Sequence, residues 1–154
     1  MNYKINSSSE NDIFNHLVAC NGFFVPKLDS KVDLKEYSSK LFKKSTRFEA
    51  WDKSVLTGLV ATYYNDHIPH IGFISNVSVL IDYSGKGIGS NLLKMCTIFG
   101  QNNNFHELKL EVSTKNHPAV KLYENHGFKI LSQKEDSLTM SLNFLLSSNN
   151  RNST

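Results

Sequence analysis

The tightest constraint on this chain is the stretch Tyr83-Ser84-Gly85-Lys86-Gly87-Ile88-Gly89-Ser90. An apolar run, Ile71 to Ile81, precedes it. An amphipathic run follows, with Ile88, Leu92, Met95 and Phe99 spaced four, three and four apart. The pattern predicts a strand, a glycine-rich turn and a helix. A helix N-terminus carries unpaired N–H groups and a partial positive charge, so it binds phosphate. Glycines let the backbone approach such an anion closely. Read plainly, the same turn only ends a strand.

The rest of the chain reads as elements around that turn. Ser9-Glu10-Asn11-Asp12 has the look of a capping start, followed by Ile13, Phe14, Leu17 and Val18 at helical spacing. Asp33-Leu34-Lys35-Glu36 opens a second helix, with Leu34, Tyr37 and Leu41 on one face. Phe23-Phe24-Val25-Pro26 joins the two. Thr46 to Asp52, Val55 to Tyr64 and His70 to Ile81 are rich in β-branched and aromatic residues and predict three strands. Turns are expected at Lys53-Ser54 and Asn65-Asp66. The helix after the glycine turn should stop around Gly100 to Asn104, before a strand from Leu108 to Ser113. Pro118 suits a first helical turn and Gly127 the end of a short helix. Leu138, Met140, Leu142 and Phe144 alternate strictly, as in a strand. The order is α/β with a mixed sheet.

A second motif sharpens the first. Asn116-His117-Pro118-Ala119-Val120-Lys121-Leu122-Tyr123-Glu124-Asn125-His126-Gly127-Phe128 follows the glycine turn. In order and spacing the pair resembles the GNAT family of acetyl-CoA-dependent N-acetyltransferases. The resemblance covers roughly residues 9 to 146. It implies one GNAT-like domain over 1–154, a mixed, mostly antiparallel sheet flanked by about four helices. Residues 147–154 are expected to be a frayed polar tail.

The resemblance also implies roles. The family's pyrophosphate loop reads Gln/Arg-x-x-Gly-x-Gly/Ala, and Ser84, Gly85, Lys86, Gly87, Ile88 and Gly89 occupy those positions. Both glycines match; Ser84 departs, which removes a side chain that usually supports the phosphates. The backbone amides of Gly85 to Ser90 would hold the anion, and Lys86 could add charge. Val77 and Val79 would pair through their backbone with the pantetheine arm, or are simply core residues. In Asn-x-x-Ala-x-x-Leu-Tyr-x-x-x-Gly-Phe, six positions match: Asn116, Ala119, Leu122, Tyr123, Gly127 and Phe128. Tyr123 stands where the family places its general acid; otherwise it packs on the sheet. Asn116 contacts the cofactor in family members and otherwise reads as a helix cap. Glu111 is placed like the proposed base of ribosomal-protein Nα-acetyltransferases, which share a Leu-Glu-Val stretch; the alternative is a solvent-facing carboxylate.

The implied reaction is direct transfer of acetyl from acetyl-CoA to a primary amine of a small molecule. Acceptor-site candidates are Phe24, Tyr37, Tyr64 and Asn76. Leu34 to Leu41 loosely resembles acetyltransferases found with bacterial surface-polysaccharide genes, which suggests an amino-sugar nucleotide. Protein or peptide N-acetylation and a non-catalytic acyl-CoA-binding regulator are the alternatives. A homodimer is left open.

Composition narrows the partners. Only two of the 17 basic residues are arginine, net charge is +3 and no basic block exists, which argues against nucleic acid. No apolar run approaches the roughly 20 residues of a membrane span. Met1 to Ser9 lacks the apolar core of a signal peptide, so a cytoplasmic location with reduced Cys20 and Cys96 is expected. His67 and His70 flank Pro69 without a cysteine or carboxylate cluster, and His106, His117 and His126 are scattered, so no metal is expected. Trp51 and Phe48 read as core aromatics.

Overall fold

The computed structural model describes residues 1–66 and 70–145. In chain order the elements are β1 (Asn2–Ile5), α1 (Glu10–Cys20), α2 (Leu34–Lys44), β2 (Thr46–Asp52), β3 (Val55–Asp66), β4 (Ile71–Val79), α3 (Ile88–Asn102), β5 (Glu107–Ser113), α4 (His117–Asn125), β6 (Lys129–Lys134) and β7 (Ser137–Asn143). They form a seven-stranded sheet ordered β1-β2-β3-β4-β5-β7-β6. Every neighbouring pair is antiparallel except β4–β5, which is parallel. No described helix is long and apolar enough to cross a membrane.

Helix caps follow the residues that call for them. Ser9 and Asp12 close a capping box on α1, and the Asp33 carboxylate accepts from the Glu36 N–H at 2.9 Å at the start of α2. Helices α1 and α2 cover one face of the sheet, where Ile13, Leu17, Leu28 and Leu41 meet Leu59 and Ala61. Each such side chain, fully buried, contributes about 1.5–3 kcal/mol. On the other face Ile88, Leu92, Leu93 and Cys96 of α3 pack with Phe48, Val60, Tyr64 and Leu110. Gly58 allows this closeness, because a Cβ there would lie 2.7 Å from Ile88 Cγ2.

Some boundaries differ from the sequence reading. Strand β1 had no visible pattern. All four of its residues are exposed, and it exists because it pairs with β2 from Asn2↔Trp51 to Ile5↔Phe48. Asn65 and Asp66 extend β3 instead of turning, because Asp66 still pairs with Ile71. The third long strand ends at Val79, and Ile81 to Tyr83 form a short 3-10 turn. Residues 67–69 and the tail at 147–154 lie outside the described residues, so the expectations for His67, Pro69 and the tail fall there.

Candidate active site

Strands β4 and β5 pair from Ile71↔Glu107 to Ile74↔Leu110 and then part. Beyond that point β4 keeps its antiparallel partner β3 up to Gly58↔Val79, and β5 keeps β7 up to Ser113↔Ser137. Two strand edges therefore face each other without pairing. The space between them opens into a cleft of about 900 Å³.

A bulge sits where the strands diverge. Asn76 pairs with Ala61 and Ile74 with Thr62, leaving Ser75 as the extra residue. One extra residue shifts the alternation of side chains. So Ile74, Val77 and Val79 share the α3 face of the sheet. Ser78 points to the opposite face, where it meets His16 of α1. Ser75 meets the Tyr37 hydroxyl of α2, which contacts Ser75 O at 3.1 Å and Ser75 Oγ at 2.6 Å. Burial pushes the Tyr37 phenol up to about 12.

Of the glycine turn and the start of α3, Gly89 lines the cleft, and Ser84, Gly85, Lys86, Gly87, Ile88 and Ser90 do not. Gly85 and Gly87 have φ of +75° and +80°, a region glycine enters without strain. A Cβ at Gly87 would meet no protein atom within 4 Å. Gly87 caps α3 without any side-chain hydrogen bond. The first helical bond runs from Asn91 N–H to Gly87 C=O at 3.0 Å. The amides of Ile88, Gly89 and Ser90 therefore point out of the helix end, as at any N-terminus. The side chains of this loop do other things. Ser84 Oγ donates to Ile81 O at 2.8 Å, Ile88 is buried in the core, and Ser90 Oγ contacts His126 Nε2 at 2.8 Å. Lys86 Nζ lies 5.5 Å from the Tyr83 ring centre. Any anion at this turn would therefore meet the backbone and Lys86.

Tyr123 of α4 lines the cleft beside Asn116, Ala119 and Leu122. It is 7% exposed, and burial raises its phenol well above the usual value. Among the described residues its hydroxyl has no hydrogen-bond partner. Asn116 caps α4 by accepting from Ala119 N–H at 3.3 Å, and it too lines the cleft. Glu111 of β5 is exposed and lines the opposite strand edge.

Phe24, Tyr37 and Asn76 line the same cleft, with Val25, Pro26, Leu28 and Val32. Tyr64 does not. It faces α3, where its hydroxyl donates to Cys96 O at 2.8 Å and its ring packs on Phe105 at 4.6 Å. The alternation of β3 places its neighbour Tyr63 on the α1–α2 face and Tyr64 in the other core. Cys96 is buried there, and its thiol is pushed up to about 11, so it makes a poor nucleophile. Trp51 and Phe48 are buried as read. Among the described residues no group of three His, Cys, Asp or Glu side chains is placed to hold a metal ion.

Sequence reasoning passed over His16. It lies on the apolar stripe of α1 with Ile13, Leu17 and Cys20, and a polar residue on such a stripe was the available signal. Its Nδ1 contacts Leu56 O at 2.8 Å and its Nε2 contacts Ser78 Oγ at 2.9 Å. Burial lowers the imidazole to about 4. An unfolded histidine titrates near 6.5, so between about pH 6.5 and 4 the unfolded chain binds a proton that the folded chain refuses. Stability from this group is fully present above about pH 6.5 and falls by about 3 kcal/mol as pH drops to 4. Urea midpoints across that range should show a steeper decline for the parent than for His16→Gln. Equal slopes would mean that His16 takes its proton in the fold.

Residues 11–128 match the acetyltransferase (GNAT) family. The chain is 33% identical over 88 residues to the uncharacterized N-acetyltransferase YobR of Bacillus subtilis (strain 168), covering 57% of this chain and 34% of that protein. It is 39% identical over 59 residues to an N-alpha-acetyltransferase of Saccharolobus solfataricus, covering 38% of this chain and 35% of that one. The matched segments thus span about a third of those relatives' lengths. Among solved structures, a PaiA N-acetyltransferase of Thermoplasma acidophilum in complex with coenzyme A superposes with a TM-score of 0.72 at 17% identity, over 93% of this chain and 99% of that one. The family match over residues 11–128 agrees with the split between β4 and β5 and with the glycine turn that caps α3 without a side chain, and the chain belongs to the GNAT family of acetyltransferases.

Proposed function

We propose that the chain transfers an acetyl group from acetyl-CoA to the primary amine of a small molecule. One observation carries this reading: the open edges of β4 and β5, the start of α3 at Gly89 and Tyr123 all border one cleft. The residues fit the donor. Positive φ at Gly85 and Gly87 turns the chain into α3, and no protein atom crowds a Cβ position at Gly87. The amides of Gly85 to Ser90 with Lys86 would hold the pyrophosphate, while the backbone of Val77 and Val79 would pair with the pantetheine arm. When bound, acetyl-CoA supplies an acetyl group activated as a thioester.

The chain's own residues then divide the work. A backbone N–H near Val79 would stabilise negative charge developing on the acyl oxygen. Tyr123 Oη would hold the proton that the departing thiolate takes up. Its raised pKa keeps that proton in place over the working pH range. Glu111, which also lines the cleft, would take the proton that the amine must lose. Its exposure puts it at the low end of the usual contribution of about 10²–10⁴-fold. Glu111→Gln should therefore slow acetylation by about 100-fold, most at low pH, where the amine is largely protonated. A rate equal to the parent's at every pH would assign this proton to water or to the substrate.

The wall of Phe24, Val25, Pro26, Leu28 and Val32 is apolar and favours an amine on a partly apolar body. Lys31, Lys115 and Lys134 also line the cleft, cations that would suit the phosphates of an amino-sugar nucleotide. Acetylation of a peptide N-terminus is the second reading, favoured by Glu111 and by the likeness to the Saccharolobus N-alpha-acetyltransferase. The test is coenzyme A release, followed by thiol detection, with a panel of amino acids, polyamines, amino sugars, a nucleotide-linked amino sugar and short peptides. Release with small amines only supports the first reading, and release with peptides only the second. No release with any amine, while acetyl-CoA still binds, would make the chain a non-catalytic acyl-CoA-binding protein.

A further inference from the structure

Tyr83 enters the glycine turn from the short 3-10 turn Ile81–Tyr83, its N–H donating to Leu80 O at 2.9 Å. Leu80 N–H in turn donates to Thr57 O at 2.8 Å, which ties this segment to β3. From there the Tyr83 hydroxyl reaches the last residue of β2 and donates to Asp52 Oδ2 at 2.6 Å. A phenol that donates to a carboxylate makes a short, charge-assisted bond. This bond raises the phenol above its usual value, and desolvation and the charges of Asp52 and Asp82 raise it further, so Tyr83 stays a donor.

Lys86 Nζ lies 5.5 Å from the centre of the same ring, within the range of a cation–π contact. Lys86 is exposed and is the one cation among residues 84–90, and Ser84 Oγ is already bonded to Ile81 O. The carboxylates of Asp52 and Asp82 both act on Tyr83, yet among the described residues neither forms an ion pair with Lys86. The tyrosine accounts for this separation. Its hydroxyl occupies Asp52, and its ring gives the ammonium a neutral face. Such a face attracts the ammonium without cancelling its charge, and leaves its N–H donors open to an anion. We propose that Tyr83, tied to Asp52, holds the Lys86 ammonium beside the glycine turn as an unpaired cation for the pyrophosphate of acetyl-CoA. Lys86 is then a binding residue and Tyr83 its positioning residue. The contact with phosphate rests on the acetyl-CoA reading; the Asp52–Tyr83–Lys86 arrangement does not.

Two measurements test this. Calorimetric titration of acetyl-CoA into the full chain reads the coupling between the two side chains. Lys86→Met should raise Kd about tenfold, the loss of one exposed charged hydrogen bond. Tyr83→Leu should raise it about fivefold, because the ammonium loses its face and Asp52 is left open to pair with it. In the Lys86→Met background, Tyr83→Leu should change Kd within about twofold, since the ring then has no cation to hold. A loss of the same size in both backgrounds would overturn the positioning role and make Tyr83 a support of the loop. Equal Kd for folded Tyr83→Leu and the parent would overturn it too. The second measurement needs no ligand and no variant. In proton spectra of the parent, the ring current of Tyr83 should move the Lys86 ε-methylene protons upfield of those of the other lysines. Unshifted protons would overturn the arrangement whatever the chain binds. If acetyl-CoA does not bind the parent, the acetyl-CoA reading and the phosphate contact fail together, while the Lys86 resonances still decide the arrangement.

Discussion

Tyr123→Phe should lower turnover by about 100-fold, the lower end of the usual acid–base contribution. The substitution removes one oxygen and keeps the ring, which packs near Phe128 with centroids 6.0 Å apart. Among the described residues nothing hydrogen-bonds the Tyr123 hydroxyl, so its loss orphans no buried group. Stability should stay within about 0.5 kcal/mol of the parent. A tyrosine kept for structure would show the reverse: a drop in stability and little change in rate. The loss should fall on kcat and spare acetyl-CoA binding, because the hydroxyl acts on charge that develops only during reaction. The effect is modest because a thiol of pKa about 8.5 leaves fairly well unaided. Steady-state kinetics with any accepted amine make the measurement. Turnover within about twofold of the parent, well short of an acid–base effect, would leave Tyr123 a packing residue.

Gly87→Asn should abolish stabilisation by acetyl-CoA. Asparagine is the non-glycine residue that best tolerates the left-handed region, so the φ of +80° can survive the change. The added side chain meets no protein atom within 4 Å at its Cβ and so enters open space beside the start of α3, where we place the pyrophosphate. The fold should therefore persist while the anion site is filled. For the parent, acetyl-CoA at 100 times its Kd adds about 2.7 kcal/mol of stability by mass action. That corresponds to a Tm rise of roughly 5–11 °C for a chain of this size. The variant's Tm should not move at the same concentration. A full shift in the variant would place the donor's phosphates elsewhere. Gly22→Asn provides the control, since its Cβ also meets nothing within 4 Å but it lies in the segment between α1 and α2.

The two motifs were legible because each is local. Positive φ at Gly85 and Gly87 and a helix opening at Ile88 depend on neighbours within a few residues. The Asn116 cap, Pro118 in the first turn and Gly127 at φ +90° fix α4 the same way. Amphipathic spacing placed α1, α2 and α3, since 3.6-residue periodicity is a property of the segment alone. Tyr123 could be found from its distance to Asn116 without knowing what surrounds it. Strand β1 escaped because its four exposed residues bury nothing, and only the edge of β2 makes it a strand.

What the sequence determined by itself is therefore the order of elements from α1 onward, the family, and the motif positions Gly85 to Gly89, Asn116 and Tyr123. Tertiary structure decided which strand edges stay open, and hence where a ligand can lie. Pairing between β4 and β5 stops at Ile74↔Leu110, although both strands continue. It decided which way side chains face, since the extra residue at Ser75 turns Val77 and Val79 to one side and Ser78 to His16 on the other. It sent Tyr64 into the α3 core, away from the cleft. It buried His16 behind Asn76, although 60 positions separate their numbers. Each of these depends on register between distant segments, where a slip of one residue exchanges the two faces of a strand.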